Sequence, residues 1–249
     1  MKNLDGKVSV LLPAYNEAYH IKNNIEEAIR TFDEFGCDYE IVIIDDGSSD
    51  NTFEIATEVS KKYSRVFVKR NLSNFGKGRA IKKGFRYTSG KYIIFLDADM
   101  ELHPGQLQTF FDIMRLDEVD VVIGSKMHPN SKIKYPLHRK IVSRVYFSLV
   151  KLMFGLPIHD TQTGLKLFKA EVLEKVLPKI LVKEFAYDLE ILVNAHHLGY
   201  RIAEAPVIVN SKKRYGRIRF KDIYKTWIDT LAIYYRLNIL KYYDHPTQE

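Results

Sequence analysis

The chain has 249 residues, 46% hydrophobic and 28% charged, which supports one large domain with a proper core and excludes a disordered chain. Its formal charge of +7 and pI near 9.2 point to an anionic partner: nucleic acid, anionic lipid or a phosphorylated substrate. Cys37 is the only cysteine, so an internal disulfide and a cysteine-rich zinc site are excluded, and no run approaches the ~18 apolar residues of a membrane span.

The amino terminus, MKNLDGKVSVLLPAYNE, contains no long apolar stretch ending in small residues, so no signal peptide is expected. From there the first half alternates. Apolar runs at 8–12 (VSVLL), 39–44 (YEIVII), 66–69 (VFVK), 92–96 (YIIFL) and 119–124 (VDVVIG) read as buried strands. The segments 19–35, 52–63, 79–88 and 104–115 between them read as helices. This βαβα rhythm predicts an α/β fold, a mostly parallel sheet flanked by helices. Such sheets bind ligands beyond the carboxyl ends of their strands.

The second half is less regular. Residues 138–154 (HRKIVSRVYFSLVKLMF) form an apolar helix candidate with Arg139 and Lys140 at its start, interrupted by Arg144 and Lys151. A turn-rich GLPIHDTQTG follows, then a helix near 187–198, a strand at 201–209 and a basic loop, SKKRYGRIRF. A last helix near 220–240 contains Tyr224, Trp227, Tyr234 and Tyr235. No internal repeat or linker divides the chain.

Carboxylates gather at the strand ends. If strand geometry persists through D-A-D, Asp97 and Asp99 point to one side, and two carboxylates so close call for a cation or a proton between them. All-oxygen ligation suits Mg²⁺ or Mn²⁺ together with substrate phosphates. Taken alone, D-A-D is a weak signal, and a solvated acidic turn, common after strands, is the favoured reading of it. Asp45 and Asp46 follow strand two in the same way, and Glu17 follows Pro13, Tyr15 and Asn16 after strand one. There Tyr15 is suited to stack on a base. The stretch NFGKGRA fails the G-x-x-x-x-G-K-[ST] phosphate-loop pattern. Its glycines still let backbone approach a ligand, and Lys77 and Arg79 stand at a helix start, where anions are favoured. An ordinary turn with a helix cap explains that piece equally well.

Together P-A-Y-N-E, D-D-G-S-S-D, N-x-G-K-G and D-A-D, in this order and at these spacings, resemble the GT-A nucleotide-sugar glycosyltransferases of family two. DTQTGLKLF (160–168) and EFAYDLEIL (184–192) are similar to stretches of the dolichyl-phosphate glucose synthases and, more loosely, of the mannose synthases. The resemblance implies an inverting hexosyltransferase that moves a sugar from UDP-glucose or GDP-mannose to a dolichyl or polyprenyl phosphate. It implies that Pro13, Tyr15, Glu17 and Asp46 hold the nucleoside, that Lys77 meets the phosphates, and that Asp97 and Asp99 hold diphosphate and metal, with Glu101 beside the metal where mannose synthases often have glutamine. Gln162 and Asp188 would lie near the sugar. Lys126, where arginine is common, would act at the reaction centre and, with Arg139, Ser143 and Arg214, would grip the acceptor phosphate. Lysine in place of arginine there keeps the charge and loses the bidentate fork.

The same resemblance sets the expected organisation: a GT-A catalytic domain over 1–217, with a nucleotide-sugar half (1–125) and an acceptor half (126–217), followed by an amphipathic helix and tail (218–249). A lipid acceptor implies a peripheral, monotopic position on the cytoplasmic face of a membrane, with helix 138–154 at the headgroups and a membrane-protein partner as the alternative anchor. The competing reading, the less favoured of the two, is that both helices cover the sheet as ordinary core elements. Asp188 is expected to position sugar hydroxyls or to pair with a neighbour, and to serve as a general base only if the acceptor is a hydroxyl on a glycan. A non-catalytic nucleotide-sugar-binding protein is a further alternative. No nucleic acid is expected, because no nucleic-acid module accompanies the basic residues and the strand ends are acidic.

Overall fold

A computed structural model describes residues 1, 4–133, 137–183, 186–209 and 220–245, with backbone alone at 137–142 and 220–223. The strands are β1 (Val8–Ala14), β2 (Tyr39–Asp45), β3 (Val66–Arg70), β4 (Tyr92–Phe95), β5 (Val121–Ser125), β6 (Lys166–Lys169) and β7 (Ile202–Pro206). They form one sheet in the order β3-β2-β1-β4-β6-β5-β7. Only β6 runs against its neighbours β4 and β5; the other pairings are parallel.

The inner strands are apolar along their length because both faces are covered. Val10, Leu12, Ile41 and Ile43 enter one core with α1 (Ile21–Phe35), α2 (Thr52–Ser60) and α4 (Leu107–Leu116). Leu11, Val42 and Ile44, the alternate residues, enter the opposite core with α3 (Lys77–Phe85), α6 (Ala170–Val176) and α7 (Tyr187–His197). This is the period of two expected of a pleated strand. Helix α1 buries Ile21, Ile25, Ala28, Ile29 and Phe32, the spacing of a single helical stripe.

Two elements escape hydropathy. β6 and α6 fall where no regular structure was expected, because β6 reads KLFK and its Lys166 is only 1% exposed. A lysine at a core position hides a strand from any apolar pattern, and its burial requires a partner. The strand reading of D-A-D is corrected: β4 stops at Phe95 and residues 98–99 form a turn.

Helices α5 (Leu137–Phe154) and α8 (Phe220–Asn238) pack together. Tyr146 meets Trp227 edge-on at 5.6 Å and its hydroxyl lies 3.1 Å from that of Thr230. Farther along α8, Arg236, and beyond its end Tyr243, reach the buried Glu190 of α7 at 2.9 and 2.6 Å. The other oxygen of Glu190 accepts the amides of Leu181 and Val182. The outer faces stay apolar: Val145, Leu149 and Leu152 on α5, and Tyr224, Ile228, Leu231 and Tyr235 on α8, are exposed at helical spacing. Among the described residues no helix is long and apolar enough to cross a membrane.

Candidate active site

The order of the sheet reverses between β1 and β4: the chain builds outward from β1 to β2 and β3 on one side, and β4, β6, β5 and β7 lie on the other. A crevice opens beyond the carboxyl ends at such a point. Here it is a cleft of about 830 Å³, and residues that follow β1, β2 and β4 line it: Tyr15 and Glu17, Asp46, Asp97 and Asp99.

The first two strand-end loops are sewn together by their own side chains. Asn16 donates its amide to Ser48 Oγ and accepts from the Ser49 amide. The amides of Glu17 and Ala18 donate to Thr52 Oγ1 and Asp50. Asp45, fully buried, faces Arg70 Nε at 3.1 Å and accepts from the Ser48 amide, so it builds the turn. A side chain at Gly47, where φ is 72°, would overlap the backbone of Ser73, so only glycine serves at this close approach. Asp46 accepts from Asn71 Nδ2 at 2.6 Å, from the Phe75 amide at 3.2 Å and from the Gly76 amide at 2.8 Å. It therefore fixes the loop before α3 while lining the cleft, and a carboxylate's fourth acceptor direction is left for a ligand.

Lys77, at the first position of α3, forms an ion pair with Asp97 Oδ1 and lies 5.8 Å from the centre of the Tyr187 ring. Burial opposes the ammonium's charge, but Asp97, Tyr187 and Asp188 outweigh it and hold the Lys77 pKa well above its usual value. For Asp97, burial works upward and is outweighed first by Lys77, then by Lys166 and Lys126, so its pKa is lowered. Burial raises that of Tyr187, assisted by Asp188. Asp99 is exposed, and its Oδ1 accepts the Glu101 amide at 3.1 Å.

Gln162, Tyr187 and Asp188 also line the cleft. Asp160, buried, accepts the amides of Lys126 and Gln162 and so shapes the D-T-Q-T-G turn; burial raises its pKa. Gly164 lies so close to Asp97 that a Cβ there would overlap the carboxylate. Asp188 pairs with Lys166 at 2.6 Å, the neighbour-paired arrangement.

Thus Pro13, Tyr15, Glu17, Asp46, Lys77, Asp97, Asp99, Gln162 and Asp188 are brought into one cleft. Among the described residues, Glu101, Lys126 and Ser143 were expected at the site and do not line it. Glu101 Oε2 is 2.7 Å from Lys126 Nζ, so each neutralises the other. The expected three-carboxylate metal set is accordingly not assembled, and among the described residues no three acidic, histidine or cysteine side chains converge on a metal position. Ser143 lies half-buried on α5; the side chain of Arg139 and all of Arg214 lie outside the described residues. Sequence reasoning missed Lys183, Tyr187 and Gly164. Arg79 and Lys183, both exposed, add cations to the cleft, and the carbonyl of Lys183 accepts the Gly78 amide of α3 at 3.1 Å.

A divalent ion is compatible with what is present. Asp97 and Asp99 offer hard oxygen donors on one wall, the only ligand type that Mg²⁺ or Mn²⁺ requires, and substrate phosphates usually complete such a shell.

The family model described as "Glycosyl transferase family 2" matches residues 9–177. Glycosyltransferase AglD of Haloferax volcanii is 31% identical over 81% of this chain and 32% of its own length. A dolichyl-phosphate beta-glucosyltransferase of Dictyostelium discoideum is 32% identical over 80% of this chain and 65% of its own length. The chain thus spans about a third and about two thirds of these curated relatives. Dolichyl-phosphate beta-glucosyltransferase ALG5D of Trichomonas vaginalis is 30% identical over 93% of this chain and 75% of its own length. Among solved structures, glucosyl-3-phosphoglycerate synthase from Mycobacterium tuberculosis, in complex with Mn²⁺, UDP-glucose and phosphoglyceric acid, superposes with a TM-score of 0.67 at 18% identity. That match covers 96% of this chain and 80% of the other. These proteins share the GT-A-like fold.

Proposed function

The chain belongs to glycosyl transferase family 2, and from that premise we propose that it transfers glucose from UDP-glucose to a dolichyl or polyprenyl phosphate, with inversion at the anomeric carbon. One observation carries the choice of acceptor. Asp188, the carboxylate placed to serve as a general base, is buried and ion-paired with Lys166 at 2.6 Å. A hydroxyl acceptor needs a base to take its proton. A monophosphate does not: its second pKa is about 6, so it is already mostly ionised near neutral pH. The names of the Dictyostelium and Trichomonas relatives support the same acceptor class and the same sugar.

Tyr15 stacks on the base, Glu17 and Asp46 hold the nucleoside, and Lys77, Arg79 and Lys183 meet the diphosphate. Gln162 and Asp188 orient the sugar, the latter fixed in place by Lys166. Held in line, the two anionic substrates react through proximity, which supplies much of the rate. Mg²⁺ or Mn²⁺ would be held by Asp97 and Asp99, and when bound it supplies charge stabilisation for the departing nucleoside diphosphate. The Mn²⁺ in the mycobacterial synthase supports a divalent ion. Lys126, Arg139, Ser143 and Arg214 are assigned to the acceptor phosphate, and the exposed faces of α5 and α8 to the cytoplasmic membrane surface, where tyrosine and branched apolar side chains are favoured.

The test pairs the purified protein with a polyprenyl phosphate and labelled UDP- and GDP-sugars, and counts label entering the organic phase with Mg²⁺, with Mn²⁺ and with EDTA. Metal-dependent label from UDP-glucose, lost in Asp99→Ala, is the expected result. No transfer from any donor while nucleotide still binds would overturn the phosphate acceptor.

A further inference from the structure

Asp97 is confined from two sides. The Lys77 ammonium sits on its Oδ1, and Gly164 is packed against Oδ2 with no room for even a methyl group. Lys77 is itself steadied by the Tyr187 ring at 5.8 Å. Asp99, two residues on, is exposed and among the described residues meets only the Glu101 amide. A cation approaching this wall alone therefore finds one open carboxylate and one already matched by an ammonium. A cation reaching Asp97 meets the Lys77 ammonium as a like charge, and a divalent ion is repelled more strongly than a monovalent one.

Resting on the donor-site reading above, we propose that Lys77 is the resident counter-ion of Asp97 in the empty cleft and is released to the donor's diphosphate, so that the divalent ion binds Asp97 and Asp99 more tightly with the nucleotide than alone. The charges favour the exchange. The ion replaces the ammonium on Asp97 and pairs with Asp99, while the diphosphate receives the freed ammonium. Lys77 has a short way to travel, because it occupies the first turn of α3, whose amino terminus faces the same cleft and favours anions. Arg79 and Lys183 already line that side. The arrangement holds Asp97 in place before loading, and it makes metal and nucleotide mutually dependent ligands.

The experiment measures Mn²⁺ binding to the full chain by loss of the free-ion spin-resonance signal, with and without saturating UDP, for wild type, Lys77→Met and Lys77→Arg. In wild type, UDP is expected to tighten Mn²⁺ binding roughly tenfold to hundredfold, the usual size of site-to-site coupling. Lys77→Met should bind Mn²⁺ about tenfold more tightly than wild type without nucleotide, and UDP should then add less. Lys77→Arg, which keeps the charge, should behave as wild type. Should Lys77→Met not fold, Lys77→Gln is read in its place by the same criteria. Equal Mn²⁺ affinity of wild type and the uncharged variants without UDP would overturn the exchange while leaving the donor site intact. Failure of UDP to bind wild type at all would overturn the donor-site reading itself.

Discussion

Lys166 Nζ lies 2.6 Å from Asp188 Oδ1, with 1% and 7% of the two side chains exposed, and the ammonium also donates to the carbonyl of Thr163. This pair bolts β6, in the middle of the sheet, to the first turn of α7. It therefore sets the distance between the D-T-Q-T-G turn and the wall that carries Tyr187 and Asp188. A buried pair of this kind adds little net stability over apolar residues of the same shape, but removing one partner strands the other.

Lys166→Met should accordingly destabilise the protein by about 3–5 kcal/mol, measured by urea unfolding. Adding Asp188→Leu to it should recover most of that loss, because no charge is then left buried alone. Sugar transfer should stay lost in the double variant. Recovery of transfer together with stability would show that Asp188 serves the fold and not the substrate.

Gly164→Ala probes the other side of the cleft. The added methyl overlaps the Asp97 carboxylate, which must shift away from Lys77. A displacement of about 1 Å at a reacting centre can lower turnover about a hundredfold, so kcat/KM for transfer should fall by that order. The thermal midpoint should change by only a few degrees, since Asp97 borders open cleft. A full-activity Gly164→Ala would remove Asp97 from the donor site.

Much of this cleft was legible because strand ends in a parallel sheet share one rim. Once VSVLL, YEIVII and YIIFL are recognised as strands, Tyr15, Glu17, Asp46, Asp97 and Asp99 must gather. What escaped depends on partners remote in sequence. Lys166 looks like a solvent residue until Asp188, 22 positions later, is known to cover it. Glu101 and Lys126 each read as site residues, yet satisfy one another at 2.7 Å. Lys183 owes its place to Glu190, whose carboxylate fixes the two preceding amides. Hydropathy carries no trace of such pairings.

Acid stability should report Glu40, far from the cleft. This carboxylate is buried, with Lys7 and Ser9 Oγ each at 2.6 Å and the Ser89 amide at 2.7 Å. Burial pushes its pKa upward, but these contacts outweigh it and hold the value below the usual 4.5. A depressed folded-state pKa gives stability that is complete above the unfolded value and lost as pH falls through the folded one. Glu40→Gln should thus be less stable than wild type by about 1.5–3 kcal/mol near neutrality. In unfolding curves taken at steps from neutrality to acid, that gap should narrow below pH 4.5. A gap that stays constant into acid would exclude the charge of Glu40 as its source.

The apolar face of α8 makes the last prediction. Tyr224, Ile228, Leu231 and Tyr235 are 69, 47, 51 and 51% exposed and recur at intervals of four, three and four, so they form one stripe along the helix. The buried side of α8 is held independently, by Ile233 in the core and Arg236 on Glu190. Charges on the stripe should therefore spare the fold: Ile228→Glu with Leu231→Glu should leave the unfolding midpoint within ~0.5 kcal/mol of wild type, as for surface changes generally. Burial of these side chains at a bilayer is worth about 25 cal/mol per Å², so the variant should largely lose sedimentation with vesicles of phosphatidylcholine and phosphatidylserine. Transfer to a short, water-soluble polyprenyl phosphate should persist, and transfer to a long one in vesicles should fall. Unchanged sedimentation would place the membrane contact elsewhere, with the outer face of α5, through Val145, Leu149 and Leu152, as the next surface to charge.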